Sequence, residues 1–401
     1  MNALVNTRTR LAAIALAVIG GLILAVSAAG ETGSIHEFAV PTANSQPLSI
    51  VTGPDGNLWF TEFLGNKIAR MTTEGAVTEF AIPTAASRPD EIDVGPDGNL
   101  WFAEVMGNKI GRIEPATGEI AEFAVPTANA RPTVIAPAPD GNLWFTERRR
   151  PGAAGAGDLG KIGRITPSGE ITEFVVGGPG SRPLGITAGS DGNVWFSLSV
   201  ANKVGRIDPQ SGAVTLFAVP TPSAFPFEMV AGPDGNVWFT EPLANKVARV
   251  TPEGVISEFA VPTPGSVPNT IRRGPDPNAA VDCAYQREAL GEAGFAARYG
   301  TFGDCVSKLA ATKTLWFSEQ GGNRIGQITT DGVVFEYAIP TAASMPIGVT
   351  QGPDGAVWFA ENATNKIGRL DVQSVRRPVG PGVRASDAAD PASVDAVVDP
   401  D

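Results

Sequence analysis

The sequence predicts an all-β fold, a seven-bladed β-propeller of four-stranded blades, and three observations predict it. All seven tryptophans sit in one dipeptide, Trp-Phe, beginning at 59, 101, 144, 195, 238, 316 and 358. Their spacings of 42, 43, 51, 43, 78 and 42 residues give a period near 42 broken by two insertions. Four short strands and their turns occupy about that length. The 47 glycines and 34 prolines, with almost no helical periodicity, favour short strands and tight turns.

Each element of the repeat has its own warrant. In the first unit, Pro47 to Thr52 reads as a strand, and Gly53-Pro54-Asp55-Gly56-Asn57 as a hairpin turn in which Asp-Gly supplies the required backbone conformations. Leu58 to Glu62 is the second strand, 67 to 72 the third and 76 to 82 the fourth, with Thr73-Glu74-Gly75 turning between the last two. Apolar residues on both faces suit a sheet packed between two others. The outer-strand pattern recurs seven times, as GSIHEF at 33, GAVTEF at 75, GEIAEF at 118, GEITEF at 169, GAVTLF at 212, GVISEF at 254 and GVVFEY at 332. The first copy precedes every Trp-Phe pair, so residues 33–40 are expected to complete the last blade and remove an exposed sheet edge.

Three regions follow. Residues 1–29 form a signal peptide or an N-terminal anchor, because Arg8 and Arg10 precede the apolar run Leu11 to Val26 and the small residues Ser27, Ala28, Ala29 and Gly30. Both readings place the rest outside the cytoplasm, secreted or membrane-anchored. Residues 30–370 form the propeller, with insertions at 148–160 and 276–312 on opposite faces. Residues 371–401 form a disordered acidic, Pro-rich tail. Cys283 and Cys305 lie within one insertion, and an oxidising compartment favours a disulfide between them over two buried thiols. A net charge of -12 with no Lys/Arg run longer than three residues excludes the footprint of a nucleic-acid binder. A monomer is expected.

Chemistry is expected at one mouth of the ring. There the X-Pro steps place Gln46, Arg88, Arg131, Arg182, Phe225, Val267 and Met345, followed beyond proline by Leu48, Asp90, Thr133, Leu184, Phe227, Asn269 and Ile347. The second strands end at Glu62, Glu104, Glu147, Glu241, Glu319 and Glu361, with Leu198 breaking the series. For each Glu, structural pairing with the neighbouring Asn-Lys turn ranks ahead of ligand binding. Blades two to four offer arginine where blades five to seven offer apolar groups, which suits an amphipathic or anionic small molecule. The GAGDLG stretch at 155–160 matches a phosphate-loop pattern but lies between strands rather than opening a helix. The Cys and His counts leave no zinc site, and His36 is the only histidine.

The repeated GPDGN-x-WF-x-E, NKIGRI and G-x-I-x-EF-x-x-PT phrases resemble those of the virginiamycin B lyases over about residues 33–370. The resemblance implies a seven-bladed propeller that linearises cyclic streptogramin B antibiotics by elimination at the ester bond, and hence antibiotic resistance. It also implies a metal-binding Glu before the last X-Pro proline, a catalytic His after it, and a substrate-binding His in the preceding blade. Those positions hold Met345, Ile347 and Asn269. A second metal-binding Glu of the family corresponds most closely to Glu361. Mg2+ is therefore a cofactor by resemblance alone, since a thioether removes both a charge and an oxygen ligand. The expectation is an exported lyase-like propeller that binds a small molecule, peptide or cell-envelope partner protein without the catalytic machinery. The alternative is a metal-dependent lyase or hydrolase using the Glu ring, and a third reading is a structural wall protein.

Overall fold

The computed structural model describes residues 34–148, 159–274 and 313–372, with isolated residues 292, 296 and 301. The candidate signal segment, the Cys283–Cys305 pair, most of both insertions and the tail lie outside the described residues.

The described chain forms seven four-stranded antiparallel sheets. Blade one contains Pro47–Thr52, Leu58–Glu62, Lys67–Met71 and Val77–Ala81, in that order from the axis outward. The N-terminal strand Ser34–Ala39 joins the last blade and pairs with Lys366–Asp371, with Phe38 opposite Ile367. The ring is thus closed by strand pairing, as the displaced outer-strand copy predicts.

The Trp-Phe pair explains the packing between blades. Trp59 of blade one shares a core with Phe102, Ile92 and Ile113 of blade two, while Phe60 packs with Trp358 of blade seven. Alternate residues of one strand therefore fill the two neighbouring seams, because successive side chains point to opposite faces. The Asp of the GPDGN turn does more than turn the chain. Asp55 accepts hydrogen bonds from the Trp59 indole N–H at 2.9 Å and from the Asn57 N–H at 3.2 Å. The buried indole donor is thereby satisfied. The 148–160 insertion separates the second and third strands of blade three. That at 276–312 separates Pro268–Arg273 from Thr314–Glu319 in blade six, and the two strands still pair with Arg272 opposite Trp316.

Candidate functional site at the mouth and axis

The mouth is built by a backbone arrangement repeated around the ring. Gln46, Arg88, Arg131, Arg182, Phe225, Val267 and Met345 all have φ between +50° and +61°. Side chains other than Gly and Asn rarely adopt that region, and a β-branched valine there is strained. In six blades the carbonyl of this residue accepts the N–H of the residue after the second strand, as in Val105 to Arg88 at 3.2 Å and Gln320 to Val267 at 3.2 Å. Blade five has Pro242 there, which has no N–H to give. Its first strand shortens to Met229–Ala231, and the Phe227 N–H turns to the Thr240 carbonyl at 2.9 Å.

The floor beneath is fixed by hydroxyls that cross the seams. Thr61 donates to the Asp90 carbonyl at 2.7 Å, Ser197 to that of Phe227 at 2.7 Å, Thr240 to that of Asn269 at 2.6 Å, and Ser318 to that of Ile347 at 2.6 Å. Upon this floor, Phe225 and Phe227 stack with ring centroids 6.5 Å apart, and the Arg88 guanidinium lies 5.4 Å from the centre of the Phe63 ring. Asn269 donates to Gln320 at 3.2 Å. Met345 is 40% exposed. Burial, reinforced by the charge of Glu91 and opposed by that of Arg148, pushes Asp90 up to about 7.

The expected ring of carboxylates does not reach this mouth. Glu62, Glu104, Glu147, Glu241, Glu319 and Glu361 are at most 3% exposed. The residues that follow them occupy the positions bonded to the X-Pro carbonyls, among them Phe63, Val105, Arg148, Gln320 and Asn362. The expected pairing with the Asn-Lys turns also takes another form. Lys109 holds Glu122 of the outer strand at 2.6 Å rather than Glu104, and Glu122 accepts the N–H and hydroxyl of Thr84 at 2.9 and 2.8 Å. Burial opposes ionisation of Glu122, but these donors outweigh it and keep its carboxyl below the ordinary range. Beside that charge, Glu104 has no protein hydrogen-bond partner on either oxygen. Burial first, and the Glu122 charge second, push Glu104 up to about 8. The same arrangement raises Glu62 and Glu361 to about 7 and Glu241 to about 8.

A second cluster, invisible to the repeat-based reading, closes the axis. Arg272 of blade six ion-pairs with Glu91 of blade two across the ring and with Glu228 of blade five at 3.1 Å. Its guanidinium also donates to the Ile271 carbonyl at 2.9 Å. Burial alone would lower the Arg272 pKa, and the charges of Glu91, Glu228 and Asp93 overcome it. Burial and the nearby Glu91 charge raise Glu228 in spite of Arg272. Asp93 is raised by burial to about 6, with Arg272 opposing. The sequence did offer a signal. Charged residues stand in PDEIDV and PNTIRR, whereas the first strands PLSIVT, PTVIAP, PLGITA and PIGVTQ carry none.

The residues present do not fit the Mg2+ that the resemblance implies. Met345 offers a thioether, and Glu361 is buried, accepts from Thr364 at 3.0 Å and lies beside Glu37. Among the described residues, no three His, Cys, Asp or Glu side chains converge as metal ligands. His36 lies on the outermost strand, opposite Arg369 and 3.2 Å from the Ser34 hydroxyl.

Comparison with known proteins places this geometry. A sequence model of the Virginiamycin B lyase family matches residues 23–293 and 298–377. A virginiamycin B lyase from Nocardia farcinica is 39% identical over 62 residues. That match spans 16% of this chain and about a fifth of the relative, 22%. A solved streptogramin B lyase structure is 32% identical, with a TM-score of 0.69, covering 84% of this chain and 97% of that one. Virginiamycin B lyase from Staphylococcus aureus gives the same identity and TM-score with 98% of its chain covered, including a catalytically inactive histidine-to-alanine variant solved with quinupristin.

Proposed function

The chain belongs to the virginiamycin B lyase family, and on that premise we propose that it binds an amphipathic, anionic small molecule or peptide at the mouth without performing the family's elimination. The carrying observation is the placement of the only histidine, His36, on the outermost strand, while Met345, Ile347 and Asn269 stand at the mouth. Elimination at an ester needs a base to take a proton, and neither isoleucine nor a thioether can do so. The mouth otherwise has what a binding site needs: a backbone pinned across the seams, an aromatic pair at Phe225 and Phe227, and arginines at 88, 131 and 182 on the other side. We place the protein outside the cytoplasm on the strength of its signal-like N-terminal segment.

The amphipathic anion 8-anilinonaphthalene-1-sulfonate is a direct probe of this reading. Its fluorescence is expected to titrate to one saturable site. Phe227→Ala and Arg88→Gln are each expected to weaken binding by roughly tenfold, through loss of an aromatic face and of a cation. Titration curves unchanged in both variants would contradict the proposal.

A further inference from the structure

We infer that the axis holds a second binding site, separate from the mouth, for a small organic monocation of the primary alkylammonium class. A cavity of about 70 Å³ lies on the axis, with Asp93, Thr187 and Arg272 as its polar lining and Val134, Ile186, Met229 and Val230 among its apolar walls. Asp93 and Arg272 occupy equivalent places, each opposite its blade's tryptophan. The other copies of this position are Val51, Ala136, Thr187, Val230 and Thr350. The charges are therefore departures from the repeat and are not required by the blade fold.

The two charged groups of the cavity lining do not pair with each other. Arg272 is engaged by Glu91, Glu228 and the Ile271 carbonyl. Asp93 has no ion pair among the described residues, and the only hydrogen bond it accepts there comes from the Val94 N–H at 2.7 Å. Arg272 is thus committed to Glu91 and Glu228, which stand outside the cavity lining, and Asp93 is left as the one acidic group of that lining. A part-buried carboxylate with no ion-pair partner favours a cation that can also donate hydrogen bonds, and an ammonium head supplies three donors. The aliphatic walls favour a short alkyl chain over a bare metal ion, whose hydration they cannot replace. First strands run from the mouth towards the opposite face, and Asp93 and Arg272 follow the mouth residues Asp90 and Asn269 along their strands, so this site lies deeper on the axis than the mouth.

Calorimetric titration of the full chain with n-propylammonium tests the assignment, with 1-propanol and K+ as comparison ligands. Propylammonium is expected to bind one to one, at least roughly tenfold tighter than either comparison ligand. Asp93→Asn, which keeps the shape and removes the charge, is expected to weaken binding by at least about tenfold with the melting transition retained. Ala136→Leu, which fills the cavity from an uncharged position, is expected to block binding and serves as the second variant if Asp93→Asn fails to fold. Propanol or K+ binding as tightly as propylammonium, unchanged affinity in a folded Asp93→Asn protein, or no saturable binding by the wild type would each overturn it.

Discussion

Arg272 shows how one side chain can couple distant parts of a ring. It reaches Glu91 on the far side of the axis, 181 residues away in the chain, and Glu228 in the adjacent blade. The net worth of such a buried cluster can be small, because desolvation offsets much of the attraction. Removing one member is different, since it leaves carboxylates buried without a counter-charge. Arg272→Met is therefore expected to destabilise the propeller by about 3–5 kcal/mol in denaturant unfolding. A loss below about 1 kcal/mol would mean that the cluster is solvated. This residue was legible in the sequence only as an exception to a repeat. Neither Glu91 nor Glu228 stands out in a reading that searches for recurring motifs, and their meeting depends on ring closure.

In six of the seven blades, the paired carboxyls of the second and outer strands form a unit. Blade four supports this, because it has lost the parts together. Leu198 stands in place of the second-strand Glu, Leu216 sits opposite Gly205 as Glu122 does opposite Gly111, and Gly178 stands where the linkers into other blades have Thr. With Glu104 raised to about 8 and Glu62 and Glu361 to about 7, their contribution to stability is fully present below the ordinary value of 4.5 and is lost as pH rises through 7 to 8. Glu122 and its counterparts are lowered, so their contribution is present above 4.5 and is lost as pH falls below it. Melting temperature is thus expected to peak near pH 4.5, to fall between about pH 5 and 8, and to level off above that. Glu104→Gln, which keeps the neutral form at all pH values, should make that fall shallower; an unchanged slope would contradict the pairing. The recurring Glu at the strand end was plain in the sequence, but its destination was not. A one-residue difference decides whether a side chain enters a seam or the mouth, and the X-Pro backbone geometry that settles it leaves no compositional trace.

The whole molecule is a closed ring whose ends are stitched by one strand. Thr341 and Lys366 hold Glu37 at 2.7 and 2.8 Å, and Phe38 stacks on Trp358. Removing residues 1–39 is expected to expose the edge of Lys366–Asp371 and abolish cooperative melting; a truncated protein that melts like the full chain would show the closing strand to be dispensable. This closure was legible because the outer-strand phrase appears once before the first Trp-Phe pair. Family membership was legible for the same reason: the repeat phrases belong to the scaffold. Function was less so, since it rests on the positions that do not repeat, and at those positions the chain has Met345, Ile347 and Asn269. Incubation of the full chain with a streptogramin B depsipeptide and Mg2+, followed by chromatography with tandem mass spectrometry, asks whether those replacements abolish turnover. Elimination breaks the ester C–O bond and moves one proton without changing the composition, so the ring-opened product is an isomer recognised by retention and fragmentation, whereas hydrolysis would add a water. The cyclic compound is expected to be recovered unchanged. An isomeric linear product that accumulates with time, and fails to form with Glu361→Gln, would contradict it.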